Sequence, residues 1–222
     1  MQAGFSRADV TPSVGMEVPG SLTKRFVTAI HDPLYATAAV ISDGDQRVAL
    51  VGLDNLSVRA SVVREARRLI EQATGIPCAN VLVGASHTHN GGPCMGALPG
   101  EFSQASDPEL CETLAQGHSS SADPDYHRHL SRQIATAVIV ADQRKQDAVA
   151  YVGRGHEETV VHNRRFWMAD GNQMTHPGKG NPDIVKPAGP IDPEVGVLAA
   201  WSMAGELLGA VVNYALHGTV FG

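Results

Sequence analysis

The stretch GASHTHNGG at residues 84–92 holds the side chains best suited to catalysis. His87 and His89 lie two positions apart and are followed at once by glycines. In an extended segment side chains at i and i+2 point to the same side, so the two imidazoles can converge if strand geometry continues through the motif. Imidazole nitrogen binds zinc, and glycine lets a substrate approach the backbone closely. The motif alone is compatible with metal ligands, a catalytic acid–base pair, or polar residues at the end of a strand.

His217 is the strongest candidate for a distant partner of this motif. It ends the apolar segment 208–216 and precedes Gly218, which repeats the order of strand, histidine and glycine. An isolated histidine of this kind is more often a satisfied core residue than a ligand. Its pairing with the first motif reverses that preference, because a catalytic zinc usually has three protein ligands and the first motif offers two histidines. The two motifs together predict a shared metal site.

Three further side chains could take part in chemistry, each with a plainer alternative. Arg164, beside Asn163, could bind a carboxylate or an oxyanion through its rigid donor fork, or could pair on the surface with the acids at 157–158. Asp54 could orient a ligand histidine or cap a helix. Cys94 could be a nucleophile, although a small buried residue is the favoured interpretation.

Length, net charge and cysteine content exclude several classes of protein. The chain has 222 residues, a formal net charge of −6 and no block of Lys and Arg, which argues against a nucleic-acid or anionic-membrane surface. Its apolar runs are far shorter than the roughly 20 residues that span a bilayer. Three cysteines without a C-x-x-C pair suit a reducing compartment, and no leader is visible. A cytoplasmic location is therefore expected, or secretion if a leader has been removed.

The elements that deliver the first motif can be read from periodicity. The segments 36–42 and 47–53 are apolar runs joined by an Asp-Gly turn, which predicts a hairpin. Residues 54–57 offer N-cap side chains for a helix that Gly75 would end. The run 80–85 then predicts the strand that leads into the histidines.

The rest of the chain predicts a mixed fold. Residues 91–124 are expected to form a long loop, acting as a lid or a binding loop. The remaining predictions are a helix from Asp123-Pro124 with apolar residues at 126, 130, 134, 137 and 141, strands at 149–154 and 159–162, a loop at 170–193, and a hairpin of 196–201 with 208–216. The fold class predicted is α/β (mixed α+β), with mixed, hairpin-rich sheets flanked by helices in one domain.

The order of several motifs carries a family resemblance. These are GFSRADVTP at 4–12, IHDPLYA at 30–36, VGLD at 51–54, SHTHNG at 86–91, NR at 163–164, DPEV at 192–195 and NYALH at 213–217. In this order they resemble the catalytic domain of the neutral/alkaline non-lysosomal ceramidases and their bacterial relatives. The H-T-H-x-G element and the late histidine are the most specific parts of the match.

The resemblance implies a zinc-dependent amidohydrolase acting on a linear amide through metal-activated water. His87 and His217 would be zinc ligands, His89 would face the reacting amide, and Arg164 would help to bind the substrate or the oxyanion. The family completes its zinc site with a Glu and a Tyr from the second half of the domain. Residues 1–222 are therefore expected to be the N-terminal portion of a single hydrolase domain, completed by a further segment or a second chain, and a homo-oligomer is compatible with this.

Departures from the family pattern bear on the substrate. Asn90 stands where the family commonly has Ser, and Thr37 where an Arg is frequent. The expected substrate is an N-acyl amide, either ceramide-like, with a role in lipid metabolism, or smaller and soluble. Substrate-binding or second-shell roles are predicted for five residues: His31, Asp54, Asn90, Gly91 and Asn163. The alternatives are another metal-dependent hydrolase, since H-x-H also opens other metal sites, or a non-catalytic metal-binding subunit of a larger assembly.

Overall fold

A seven-stranded mixed sheet forms the frame of the protein in this computed structural model, which describes residues 1–21, 23–98, 100–101, 106–118 and 120–218. The strands are β1 (Gln2–Asp9), β2 (Glu17–Val18), β3 (Arg25–Phe26), β4 (Tyr35–Ser42), β5 (Arg47–Leu53), β6 (Val81–Ala85), β7 (Gln146–His156), β8 (Arg165–Met168), β9 (Gln173–Thr175), β10 (Ile184–Pro187), β11 (Glu194–Ser202) and β12 (Leu207–Tyr214). The helices are α1 (Ala60–Thr74), α2 (Pro108–Gly117) and α3 (Pro124–Gln143). The large sheet has the order β12-β11-β7-β1-β4-β5-β6, while β2 and β3 form a separate hairpin. The predicted fold class is confirmed.

The predicted hairpin and the predicted strand that leads into the first motif are confirmed. β4 and β5 pair antiparallel from Ala36↔Leu53 to Ser42↔Arg47, and β5 pairs parallel with β6 from Ala49↔Val81 to Leu53↔Ala85. The two parallel strands therefore end at the same edge of the sheet. The Ser86 N–H donates to the Leu53 carbonyl there, at 2.9 Å. The residues after β5 and those after β6 consequently leave the sheet side by side.

Helix α1 begins later than its sequence predicts. It starts at Ala60, and Arg59 occupies the N-cap position without a side-chain cap hydrogen bond. The predicted cap at Asp54 is wrong because its carboxylate instead accepts the backbone N–H of Tyr35 at 3.1 Å. The predicted stop is confirmed, since Gly75 adopts a left-handed φ of 72° and its N–H donates to the Glu71 carbonyl.

Helix α3 supplies the largest part of the core. Asp123 caps it by accepting the N–H groups of Asp125 and Tyr126, as the Asp-Pro signal predicts. The five apolar positions predicted to face inward are all buried. They pack with α1 and the β4–β6 strands in one cluster, whose fully enclosed members include Leu53, Ile70, Ile76, Val40, Leu130, Ile134 and Val138.

The predicted loop at 91–124 contains a helix. Asp107 caps α2 by accepting the Leu110 N–H, and Pro108 takes the first helical position. This is the same Asp-Pro start signal that opens α3. The helix was missed because it lacks a buried stripe: Leu110 and Leu114 are both exposed. Residues 99, 102–105 and 119 of this predicted loop lie outside the described part of the chain.

Backbone contacts divide the chain into two compact units. One holds residues 1–149, 200–209 and Gly218, and the other holds residues 150–199 and 210–217. The second unit contains a three-stranded antiparallel sheet of order β10-β8-β9. The predicted hairpin of β11 and β12 is confirmed, with its turn closed by the Ser202 N–H on the Glu206 carbonyl. Among the described residues, no helix combines the length and the apolarity needed to cross a bilayer.

Two predictions for the second unit are wrong. Residues 159–162 form no strand, because the strand lies further along at Arg165–Met168. The predicted loop at 170–193 contains β9 and β10, which are short, largely exposed and without an alternating pattern. The segment before β8 is held instead by the Tyr214 hydroxyl, which donates to the Glu157 carbonyl at 2.9 Å.

Candidate functional site

The two histidines of the H-T-H motif converge through a turn and not through strand alternation. β6 ends at Ala85, and His87 has a left-handed φ of 62°. The condition under which strand geometry would make the two imidazoles converge is therefore not met. The rings of His87 and His89 nevertheless lie edge to face, with their centroids 4.9 Å apart. A non-glycine residue in this region costs of order 1–3 kcal/mol, so surrounding contacts must hold the turn.

Both imidazoles are held in the same tautomer by backbone carbonyls. The His87 Nδ1 lies 2.8 Å from the Leu56 carbonyl, and the His89 Nδ1 lies 3.0 Å from the Gly20 carbonyl. A carbonyl oxygen can only accept, so each Nδ1 carries the proton. The neutral ring then presents the lone pair of Nε2. This is the arrangement that orients histidine ligands in metal sites.

His217 follows shortly after β12 and belongs to the other compact unit. Imidazole is a ligand that suits zinc and several other transition metals. The pairing of the first motif with this late histidine in one metal site stays a prediction.

A series of buried hydrogen bonds supports the Leu56 carbonyl that contacts His87. The Leu56 N–H donates to the Asn55 side-chain oxygen at 3.1 Å, and the Asn55 amide donates to the Tyr126 hydroxyl at 3.3 Å. That hydroxyl donates in turn to the Val10 carbonyl at 2.7 Å. Burial raises the pKa of Tyr126 well above its usual range, so the hydroxyl keeps its proton. Sequence reasoning missed this support, although a tyrosine on a buried helix stripe must find a hydrogen-bond partner.

The glycines after the motif pack against the same hydrogen-bonded side chains. A Cβ on Gly91 would lie 2.4 Å from the Asn55 side-chain oxygen, and one on Gly92 would lie 2.3 Å from Cζ of Tyr126. Both positions are buried. The glycines therefore allow the turn to sit directly on its supporting side chains.

A cavity of about 580 Å³ adjoins the motif and includes two predicted substrate residues. His31 and Asn90 both line it, together with Thr88 and Arg25. Its apolar wall consists of Pro12, Val18, Phe26, Val27, Ala29, Ile30 and Leu34. His31 contacts the Asp32 carboxylate at 2.7 Å, and both side chains are exposed. An apolar hollow with a few polar groups is the usual form of a small-molecule site.

Arg164 and Asn163 line another cavity, of about 320 Å³, in the second unit. Asn163 is fixed there, since its side chain donates to the Pro190 carbonyl and accepts the Arg165 N–H. The acids proposed as surface partners of Arg164 contact other residues: Glu157 accepts from Thr159, and Glu158 lies 3.2 Å from His156.

The remaining candidates have structural surroundings. Cys94 is 1% exposed, with its sulfur 3.8 Å from the Ser57 hydroxyl, which fits the small buried residue that was favoured over a nucleophile. His127 is buried and contacts the Cys94 carbonyl at 3.0 Å. Asp54 holds the start of β4 as described above.

Comparison with solved structures identifies the class of fold. The crystal structure of neutral ceramidase from Pseudomonas aeruginosa matches 96% of this chain with a TM-score of 0.64 and 23% identity, and 31% of that structure is covered. A ceramidase complexed with C2 matches 96% of the chain with a TM-score of 0.63 and 23% identity, over 30% of its own length. The fold of this chain is thus a portion of the ceramidase fold.

Comparison of sequences points to the same relative. The chain is 28% identical over 223 aligned residues to the neutral ceramidase of Pseudomonas aeruginosa, which covers 97% of the chain and 30% of that protein. No protein-family model matches the chain. The similarity to neutral ceramidases that the motif order predicts is confirmed, and the chain spans about a third of the length of the relatives it matches.

Proposed function

We propose that this chain carries part of the active site of a zinc-dependent amidohydrolase that cleaves a linear N-acyl amide. The observation that carries the proposal is the pair of imidazoles of His87 and His89, whose ring centroids lie 4.9 Å apart and whose Nδ1 atoms each contact a backbone carbonyl. His87 and His217 are assigned as zinc ligands. The carbonyl partner of His87 supports this assignment, because a carbonyl can only accept, so Nδ1 carries the proton of the neutral ring and Nε2 keeps its lone pair.

Zinc, when bound, supplies polarisation of the amide carbonyl and a water whose pKa is lowered to about 7. His89 is assigned to proton transfer. Its Nδ1 proton is committed to the Gly20 carbonyl, so the neutral ring has no proton on Nε2 to offer an oxyanion. Nε2 can instead take a proton and return it to the leaving amine. The tautomer thus favours a proton shuttle over an oxyanion donor.

Arg164 is assigned to the carbonyl oxygen as negative charge develops there. Loss of one such contact typically costs about 2.7–4 kcal/mol of transition-state stabilisation. Asn163 orients the segment that carries this arginine. Asn90 and His31 are assigned to the substrate through the cavity they share. Gly91 is assigned a supporting role, because it allows the loop to pack closely on Asn55. Asp54 is assigned a supporting role at the start of β4, where it accepts the Tyr35 N–H.

The proposed substrate is an N-acyl amide that is either ceramide-like or smaller. A ceramide-like substrate would give the protein a role in lipid metabolism. The support is the apolar wall of the 580 Å³ cavity and the name of the relatives, which are neutral ceramidases. The proposal treats residues 1–222 as the N-terminal portion of one hydrolase domain. Residues from a further segment or chain would complete the metal site, since a catalytic zinc usually has three protein ligands and a water.

The experiment is hydrolysis of a fluorogenic N-acyl sphingosine and of a short-chain N-acyl amide by the full-length protein, before and after chelation. We expect chelator to abolish activity and added zinc to restore it. His217→Ala should be inactive, whereas His156→Ala, an exposed histidine beside Glu158, should match the parent protein. Full activity after exhaustive chelation, or in His217→Ala, would refute the proposal.

A further inference from the structure

His89 is held from two directions by the hairpin of β2 and β3. Its ring Nδ1 contacts the Gly20 carbonyl at 3.0 Å, in the connection between the two strands. Its backbone carbonyl accepts the Arg25 Nη2 at 2.7 Å, from the first residue of β3. The hairpin therefore contacts both the ring and the main chain of the same residue.

Gly20 fits a space that no other residue could enter without displacement. Its φ is +99°, in the region that favours glycine. A Cβ there would lie 2.7 Å from the His89 Nδ1 and 3.0 Å from the Leu56 Cδ2. Leu56 is the residue whose carbonyl holds His87. Gly20 thus lies next to the His89 ring and next to Leu56, the residue that holds His87.

Arg25 commits its charge to the backbone of His89. The hydrogen bond of 2.7 Å is short and charge-assisted, which makes it stronger than a neutral one. The Nε of the same guanidinium is buried and has no hydrogen-bond partner among the described residues. Leaving such a donor unsatisfied is unfavourable, so the arginine is poorly explained as a stabilising surface residue. Its contact with His89 gives it a positional role.

The hairpin is itself anchored close to these contacts. The Lys24 ammonium lies 2.6 Å from the Glu17 carboxylate and 3.0 Å from the Ser121 hydroxyl. Both charged side chains are largely buried, at 15% and 9% exposure. Lys24 directly precedes β3 and Glu17 begins β2. An ion pair of low exposure is screened little by solvent, so it holds the two ends of the hairpin together.

We propose that the β2–β3 hairpin positions His89 for its role in the proposed reaction. The Gly20 carbonyl accepts from the ring Nδ1, and Arg25 fixes the main chain that carries the ring. Gly20 and Arg25 are positioning residues that act through His89. This inference rests on the proposed function only in naming the step that His89 performs, because the tautomer and the ring position can be measured without turnover.

The test compares Gly20→Ala with Gly15→Ala. Gly15 also has a left-handed φ, of +90°, but a Cβ there meets nothing within 4 Å. Both variants therefore acquire the same backbone strain, and only Gly20→Ala presses on the His89 ring. Tautomers are measured by long-range ¹H–¹⁵N NMR of the histidine rings, with thermal melting as the test of folding.

We expect both variants to melt a few degrees lower, by similar amounts. Gly15→Ala and the parent protein should show His89 protonated on Nδ1. Gly20→Ala should show His89 shifted toward the Nε2-protonated form, with His87 unchanged. Amide turnover should fall on the order of 10–100-fold in Gly20→Ala alone, at unchanged zinc content. A parent-like His89 signal in a folded Gly20→Ala protein would overturn the proposal.

A second pair of variants keeps the proposal testable if Gly20→Ala does not fold. Arg25→Met removes the donor to His89. Arg67→Met removes a guanidinium that donates in the same way to a backbone carbonyl, that of Val81, at 2.6 Å. We expect only Arg25→Met to disturb the His89 ring signal, and equal spectra in the two variants would contradict us. A parent protein with His89 protonated on Nδ1 but without metal-dependent amidase activity would refute the proposed function and leave the positioning role intact.

Discussion

His87 and His89 share a tautomer but rest on very different supports. The Leu56 carbonyl behind His87 is fixed through Asn55 and Tyr126, which are 0% and 2% exposed. The Gly20 carbonyl behind His89 lies between two strands of only two residues each. A support within the main core suits a ligand that must stay still, whereas a small hairpin suits a ring that exchanges a proton. The difference therefore underlies the assignment of His87 to metal and His89 to proton transfer.

Removal of the His89 imidazole should have the largest effect on activity of the substitutions that test this difference. His89→Ala should lower kcat by about 10²–10⁴-fold, the usual contribution of general acid–base catalysis, while zinc content stays near that of the parent protein. Steady-state kinetics and elemental analysis of one preparation would check both parts. Loss of zinc in proportion to activity would instead make His89 a ligand and remove the contrast between the two histidines.

The rigid support can be broken sterically at Gly91. Gly91→Ala should destabilise the protein by about 3 kcal/mol, because the new Cβ would lie 2.4 Å from the buried Asn55 oxygen. Urea unfolding measures this free energy. Gly84→Ala is the matched control, since its Cβ would meet nothing within 4 Å and should change stability by no more than about 0.5 kcal/mol. Equal losses of unfolding free energy in the two variants would show that the Asn55 side chain moves aside at little energetic cost.

A subtler change removes only the hydroxyl that anchors Asn55. Tyr126→Phe leaves the Asn55 amide and the Val10 carbonyl without their shared partner, and should cost about 1.5 kcal/mol of unfolding free energy. Tyr151→Phe, at a residue 61% exposed, should cost almost nothing. We expect the His87 ring signal to broaden in Tyr126→Phe and the His89 signal to stay sharp. The reverse pattern would contradict the separate supports.

The sequence predicted the frame of this site better than its details. The β4–β5 hairpin, β6 and α3 are confirmed because apolar periodicity and the Asp-Gly and Asp-Pro signals are local. The supports of the histidines could not be predicted, since Gly20, Asn55 and Tyr126 meet the motif only through long-range packing. The sequence predicted a helix cap at residues that include Asn55, because asparagine favours both helix caps and hydrogen bonds to a nearby backbone N–H. The convergence of His87 and His89 was expected for a wrong reason, as the strand ends before them and a left-handed residue makes the turn.

The smallest expected effect concerns alkaline pH. Burial raises the pKa of Tyr126 above the ordinary value of 10.0, so the folded protein holds this proton more tightly than the unfolded chain. The resulting stability is complete below pH 10 and is lost as the pH rises above it. Unfolding free energies of the parent protein should therefore fall more steeply above pH 10 than those of Tyr126→Phe. Parallel curves would mean that the phenol ionises without strain in the folded state.

In our proposal His87 and His217 bind the metal, and His89 does not. This assignment is tested most directly by zinc-to-protein ratios of His87→Ala, His217→Ala and His89→Ala after equilibration with buffered zinc and gel filtration. We predict that His87→Ala and His217→Ala fall far below the parent ratio and that His89→Ala retains it. Full zinc occupancy in both His87→Ala and His217→Ala would contradict the account.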